Sequence, residues 1–315
     1  MSSDFLLADI GGTNVRFAVL RRDGRIDGYE AWLTALYPDF GSAVKAYAEL
    51  TGLRLPLGGG AVCAAGPVVG DAVKLTNCPW SISKAEIAAA TGGRAYLVND
   101  FAAVAQALPV LTEADVVQVG GGAPLEHAPK AALGPGTGLG VASTVYDGAR
   151  WLAVPGEGGH VDLAPTNERE LAVVYQLMRT HGHVAAEDAV SGLGLENLYL
   201  AIASLDGVPF KAKPVAADIA KAARAKTDAV AVEAVALFTG WLGSVAGNLA
   251  LTVGAQGGVY IAGGIVAQWG DAFDAKLFRR RFESKGRIKY FLEPIPCYLV
   301  TAKDLAFRGL AAMVR

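Results

Sequence analysis

Cysteine is scarce. Cys63, Cys78 and Cys297 are the only three in 315 residues, and no CxxC pair occurs. An odd, scattered set supports neither a disulfide framework nor a zinc knot, so the sequence predicts a reduced, cytoplasmic protein. An excess of charge of one sign is also missing. Lys plus Arg number 28 and Asp plus Glu 30, a formal net charge of −2, which argues against a dedicated nucleic-acid binder. The opening MSSDFLLADIGG has no basic start, and Asp4 and Asp9 break its apolar run, so a secretory signal is not expected. Only 18% of residues are charged and 52% are hydrophobic; that balance excludes intrinsic disorder. At roughly 150 residues per domain the length points to about two domains.

One long stretch, Ala234 to Ala255, lacks charge altogether and could by length span a bilayer. It is rich in Ala and Gly rather than Leu, contains Thr239, Ser244 and Asn248, and has no basic flank. It is therefore expected to be a buried helix, with no membrane role for the chain.

Glycine is plentiful: 39 residues, where about 22 would be usual at ~7%. They cluster beside strand-like runs, as they do where backbone lies close to a ligand. Alternating apolar runs and helical patterns give an α/β class. Early strands are expected at Phe5–Ile10, Val15–Leu20, Ile26–Trp32, Gly60–Ala65 and Arg94–Val98, with helices around Ser42–Thr51 and Phe101–Leu108. Ser83 and Glu86 have capping-box spacing for a short helix that ends at Gly92-Gly93. A second series has strands at Ala131–Gly134, Leu139–Tyr146, Arg150–Val154 and Val259–Ala262. Its helices are expected at Glu168–His181, Asp188–Ser204, Ala216–Ala225 and Asp228–Gly254, and a last helix follows Thr301-Ala302-Lys303-Asp304. A faint repeat links the two series. Gly11-Gly12-Thr13 and Gly136-Thr137-Gly138 each introduce a strand that is followed by an Asp-Gly turn and a return strand, the form of a hairpin opened by a Gly/Thr loop. Two such loops could grip a polyphosphate.

The first loop, Asp9-Ile10-Gly11-Gly12-Thr13-Asn14, offers N–H groups without Cβ obstruction and a hydroxyl for phosphate oxygens. Asp9, at the strand end, suits Mg²⁺, although it could equally cap a turn. No GxxxxGK[ST] sequence is present, and Gly136-Thr137-Gly138-Leu139-Gly140 leads into a strand, so neither a Walker loop nor a dinucleotide fold is expected. Asn99-Asp100 ends a strand. Asp100 could take a proton from a substrate hydroxyl while Asn99 orients that molecule; the pair could also be a helix N-cap. Pro155-Gly156-Glu157-Gly158-Gly159-His160 mounts a carboxylate and an imidazole on a glycine-rich loop, a poor packing sequence and a good one for recognising neighbouring hydroxyls. Glu187 is either another hydroxyl acceptor or an acid complementing a helix N-terminus. Gly263-Gly264 closes a buried strand, where a flat purine could lie on the backbone or the chain could simply turn. His181 and His183 read as an exposed helix end. Lys211, Lys213 and Arg279–Arg281 read as solvated faces.

In this order, the segments LLADIGGTNVRFAVL, NDFAA, LGPGTGLGVA, PGEGGHVDLAP, EDAVSGLGLENLY and GGVYIAGGI resemble the bacterial glucokinase family. The resemblance covers residues ~5 to ~310, and the combination is far more specific than any one segment. It implies a two-domain actin-like ATPase (ribonuclease H-like) sugar kinase fold with the active site in an interdomain cleft. The smaller α/β domain would comprise residues 1–109 with 301–315, and the larger residues 110–300. The implied reaction is ATP-dependent phosphorylation of glucose at its 6-hydroxyl, with another hexose such as mannose or an N-acetylhexosamine as the alternative acceptor. Residue by residue, Asp100 falls on the catalytic base, and Asn99, Gly138, Glu157, His160 and Glu187 on the sugar site. Gly11, Gly12, Thr13 and Asn14 match the first phosphate loop and Gly136, Thr137 and Gly138 the second. Asp9 falls near Mg²⁺, and Gly263 and Gly264 lie in the adenosine segment. Homodimers are usual in the family. The stretch after His160, VDLAPTNERE, has no cysteine, so the zinc motif of the related repressor–kinase group is not expected. The phosphate loop is reached by Gly11, so that group's N-terminal DNA-binding helices are not expected.

Overall fold

A computed structural model describes residues 3–75, 78, 80–209 and 214–315. The chain divides into two compact units. Unit 1 holds residues 1–111, 151–155 and 302–315, and unit 2 holds residues 112–150 and 156–301.

Unit 1 begins with β1 (Phe5–Ile10), β2 (Asn14–Leu20), β3 (Ile26–Leu33), α1 (Phe40–Thr51), β4 (Gly59–Ala64) and the short pair β5 (Ala72–Lys74) and β6 (Ser81–Ser83). Then come α2 (Lys84–Thr91), β7 (Arg94–Asn99) and α3 (Asp100–Ala107). The main sheet runs β3-β2-β1-β4-β7. β1 is antiparallel to β2 and parallel to β4, and β4 is parallel to β7. Both faces of β1 are covered. Leu6, Ala8 and Ile10 pack with Phe40, Val44 and Tyr47 of α1, while Phe5 and Leu7 pack on the opposite side. Burial on both faces makes β1 a continuous apolar run instead of an alternating one. Ser83 and Glu86 form the expected capping box of α2, which stops at Gly92 in the left-handed region.

Unit 2 contains β8 (Val116–Gly120), β9 (Lys130–Pro135), β10 (Leu139–Tyr146), α4 (Glu168–His181), α5 (Gly192–Leu205), α6 (Ala216–Ala225) and α7 (Ala229–Val253), whereas β11 (Trp151–Gly156) counts with unit 1 except for its last residue. It continues with β12 (Val259–Ile261), α8 (Gly264–Trp269), α9 (Ala275–Glu283), α10 (Lys289–Leu292) and β13 (Cys297–Val300). The chain then returns to unit 1, where α11 (Leu305–Val314) places Phe307, Leu310 and Val314 against Phe5, Leu7 and Leu20.

The second sheet runs β11-β10-β9-β12-β13-β8. β9 is antiparallel to β10 and parallel to β12, which is parallel to β13. The hairpin-first, parallel-after order of unit 1 therefore recurs, with β8 added at one edge. The faint sequence repeat is a repeat of topology, and the fold is the expected two-domain actin-like ATPase, ribonuclease H-like arrangement.

The uncharged stretch forms most of α7. Asp228 caps that helix through Val230 N–H and Ala231 N–H at 2.8 and 3.2 Å. A helix of this length and apolarity could cross a membrane by composition, but 67% of its apolar window is buried in the protein. Its glycines serve packing. A Cβ at Gly243 or Gly247 would run into the carbonyls of Phe278 and Phe282 on α9.

Several boundaries differ from expectation. α5 starts at Gly192, capped by Ser191, and not at Asp188; residues 186–188 make a separate 3-10 turn. Gly263-Gly264 leads into α8. Asp304 precedes α11 without capping it, because its carboxylate accepts from Arg308 Nε at 2.7 Å. Arg279 and Arg281 are not solvated. Arg279 donates to the carbonyls of Leu292, Glu293 and Ile295, and Arg281 pairs with Glu170, whose side chain is 2% exposed. Lys211 and Lys213 lie outside the described residues.

Candidate active site

In unit 1, register decides what meets what. Asp9 lies opposite Arg16 across the hairpin and beside Cys63 on β4. The buried Asp9 carboxylate accepts from Arg16 Nη2 through one oxygen and from Cys63 Sγ, at 3.5 Å, through the other. The next row of the sheet is Ile10, Ala64 and Asn99. Asp9 and Asn99 thus reach the same edge with one strand between them. Burial first, then the negative charges of Asp9 and Asp100, push the Cys63 thiol well above its ordinary range.

The loop after Asp9 is closed by Gly11 N–H donating to the Asn14 carbonyl at 2.8 Å. Thr34 N–H and its hydroxyl hold the Thr13 carbonyl at 2.9 and 3.1 Å. Thr13 and Asn14 are exposed. Asn99 is the N-cap of α3. Its Oδ1 accepts from Phe101 N–H at 2.8 Å and Ala102 N–H at 3.3 Å, and its Nδ2 donates to the Gly66 carbonyl at 3.1 Å. The capping and functional readings of Asn99-Asp100 are therefore compatible. The cap fixes the turn that carries Asp100, the first residue of α3, whose Oδ1 accepts from Phe101 N–H at 2.7 Å.

In unit 2 a second group gathers. Gly136 N–H donates to the Gly138 carbonyl, and Gly192 N–H, at the start of α5, donates to the Gly136 carbonyl, both at 2.8 Å. Glu187 Oε2 accepts from Leu139 N–H at 2.6 Å. A Cβ on Gly138 would overlap that carboxylate, so only glycine leaves room for it. The loop Glu157–His160 lies on the same strand start, since a Cβ on Gly159 would strike the Leu139 carbonyl and one on Gly158 would crowd Val141. Glu157 and His160 are exposed. Gly263, at φ +101°, sits where a Cβ would be 2.7 Å from the Pro135 carbonyl. It and Gly264 therefore flank the second loop, Gly136 to Gly138. The predicted residues fall into these two clusters, one per unit: Asp9, Gly11–Asn14, Asn99 and Asp100 in unit 1, the rest in unit 2. His181 ends α4, and His183 Nε2 meets Asp162 at 2.8 Å.

Sequence reading missed Arg16, the Gly66 carbonyl and the Leu139 N–H. Arg16 had a signal, because Asp9 and Arg16 are symmetric about the hairpin loop. The other two are backbone groups that only tertiary structure supplies.

Mg²⁺ keeps several waters and takes one or two carboxylates plus phosphate oxygens. Among the described residues no group of three His, Cys, Asp or Glu side chains could hold a metal alone. One strand-end carboxylate beside a glycine loop fits an ion whose other ligands are phosphate and water.

A family model described as Glucokinase matches residues 6–315. The chain is 44% identical over 308 residues to a glucokinase of Chromobacterium violaceum, covering 98% of this chain and 88% of that protein. It is 44% identical over 310 residues to the bifunctional protein glk of Burkholderia thailandensis, and spans about half of that relative's length, 48%. Among solved structures, a glucokinase from an Antarctic psychrotroph superposes with a TM-score of 0.90 at 32% identity, with 98% of each chain covered.

Proposed function

The chain belongs to the glucokinase family, and from that premise we propose that Asp100 is the base in an ATP-dependent transfer of phosphoryl to the 6-hydroxyl of glucose. Asp100 accepts the hydroxyl proton as the sugar oxygen bonds to the γ-phosphorus. The bond to the bridging oxygen breaks and ADP leaves. In a loose transition state positioning and charge stabilisation dominate, so the fixed turn under Asp100 matters more than its basicity.

Asn99, Glu157, His160, Glu187 and the backbone at Gly138 hold the sugar's hydroxyls. Gly11–Asn14 and Gly136–Gly138 give N–H groups and the Thr13 and Thr137 hydroxyls to the phosphates, and Gly263-Gly264 lies under the adenosine. Asp9 would meet Mg²⁺ through water; when bound, the ion neutralises phosphate charge. In the same reading the enzyme is cytoplasmic and homodimeric. Three free thiols suit a reducing compartment.

The observation that carries this reading is the Asn99 cap, which aims the first residue of α3 at the sheet edge shared with Asp9. Purified protein with MgATP and a panel of hexoses, with product regiochemistry determined, should give glucose 6-phosphate. Asp100→Ala should lower kcat by ~10²–10⁴ while glucose binding by calorimetry persists. Near-normal turnover in that variant would remove Asp100 from the role.

A further inference from the structure

We propose that His183 and Asp162 are positioning residues for the sugar site: their side-chain bond clasps together the two segments that carry His160 and Glu187. The inference rests on the sugar-site reading above and adds what holds that site in register. α4 ends at His181, and Gly182, at φ +75°, lets the chain leave the helix. The segment that follows pairs antiparallel with the one after His160 as an isolated bridge, with Asp162 opposite Ala185. Its backbone bonds run from Leu163 N–H to the Val184 carbonyl at 3.0 Å and from Ala186 N–H to the Val161 carbonyl at 2.8 Å. His160 immediately precedes Val161, and Glu187 immediately follows Ala186. The second of these bonds therefore sets the spacing between the imidazole and the carboxylate that meet the sugar.

A bridge outside any larger sheet is a weak element, since even a complete two-stranded hairpin is marginal in water. Side-chain pairs on one face supply much of the stability of such a pairing. Asp162 and Ala185 are flanked by the two backbone bonds and not joined by them, so their side chains lie close. His183, two residues before Ala185, is the diagonal neighbour of Asp162 on the same face. Its Nε2 lies 2.8 Å from Asp162 Oδ1. An ionised carboxylate only accepts, so Nε2 carries the hydrogen and donates it. Among the described residues neither side chain has another hydrogen-bond partner. The Glu187 side is fixed from within. Ala185 N–H donates to Asp188 Oδ2 at 2.8 Å, and Asn197 Nδ2 on α5 donates to the Asp188 carbonyl at 3.2 Å. The 3-10 turn that carries Glu187 is thus anchored to α5, and the bridge ties the His160 loop to that turn. Leu163, Val184, Ala185 and Ala186 are buried beneath it, whereas the His183 and Asp162 side chains are 63% and 92% exposed. An exposed pair adds little to global stability. Breaking this one leaves the core intact and loosens the register of the two sugar-binding segments.

Steady-state kinetics and calorimetry on the full chain test this. His183→Ala and Asp162→Ala should each raise the KM and Kd for glucose about two- to fivefold, the range expected of an exposed pair. The kcat, the KM for ATP and the melting temperature should hold. The double variant should be no worse than the worse single one, because the same bond is lost only once. His183→Gln, whose Nε2 amide can still donate to Asp162, should recover most of the wild-type affinity. Glu187→Gln is the reference for the sugar site. If it weakens glucose binding while neither alanine variant does, the clasp is overturned and the sugar site stands. If it leaves glucose binding unchanged, the sugar-site reading falls and this inference with it. Additive losses in the double variant, or losses that extend to ATP and to stability, would also overturn the clasp.

Discussion

At position 138 a hydrogen is all that fits beside the Glu187 carboxylate. Gly138→Ala would leave the backbone in place and swing the flexible carboxylate away from Leu139 N–H. A hydrogen bond to a charged group is worth about 1.5–3 kcal/mol, so the KM for glucose should rise roughly 10- to 100-fold with a smaller change for ATP. Steady-state kinetics with each substrate varied checks this; an unchanged glucose KM would take Glu187 out of the sugar site. At this scale the sequence displayed the chemical groups but not their partners. Asp9 and Glu157 stand out because carboxylates near glycines have little packing use, and Asp100 because it follows a strand end. That Cys63 lies under Asp9 depends on a parallel register between strands 54 residues apart, which local pattern cannot convey. Arg279 and Arg281 looked solvated because the carbonyls and the carboxylate that bury them come from distant segments.

Two pairs of elements carry testable loads. α11 crosses α3 so closely that a Cβ on Gly309 would overlap the Ala103 carbonyl. Backbone cannot yield as a side chain can, so Gly309→Ala should cost about 1–3 kcal/mol, the usual penalty of overpacking. Since Asp100 opens α3, kcat should fall with stability, whereas Gly52→Ala, at an open helix end, should leave kcat alone. Denaturant melts and initial rates on both variants check this. In unit 2, α4 and α9 are joined by Glu170 and Arg281. Burial alone would raise the Glu170 carboxyl, but the Arg281 hydrogen bond and charge, with Thr166 N–H, outweigh it and hold the group below the ordinary carboxylate range. Its stabilising contribution is therefore complete above that range and disappears as pH falls through the lowered value. Glu170→Gln should cost about 3–5 kcal/mol at pH 7, because it strands a buried guanidinium, and should flatten the acid limb of the stability profile. An acid limb identical to wild type would refute this. Element existence was legible wherever a capping side chain preceded a helical run, as for α2, α4 and α7. β8, β13 and α9 went unassigned, being short or framed by charges whose burial is tertiary. α5 was placed too early because acids in a 3-10 turn imitate a helix N-terminus.

For the molecule as a whole, the order of segments matters more than any one contact. Unit 1 is left at Leu111, revisited briefly at residues 151–155 and completed by residues 302–315, after unit 2 has been made. Phe307, Leu310 and Val314 then cover the sheet face that contains Phe5, Leu7 and Cys63. Burial of such side chains stabilises by about 1.5–3 kcal/mol each, so together they approach the 5–15 kcal/mol on which a domain rests. Removing residues 302–315 should thus open unit 1 and spare the core of unit 2. The cysteines report on each unit separately. Cys63 is buried under α11 in unit 1, and Cys297 is buried in unit 2 with its thiol pushed up to about 12, chiefly by desolvation. Alkylation at neutral pH, located by mass spectrometry, should find both protected in the full chain. In the truncated chain Cys63 should react while Cys297 stays protected. Continued protection of Cys63 would mean that the sheet of unit 1 closes without its last helix; reaction at both sites would mean that unit 2 depends on unit 1 to fold.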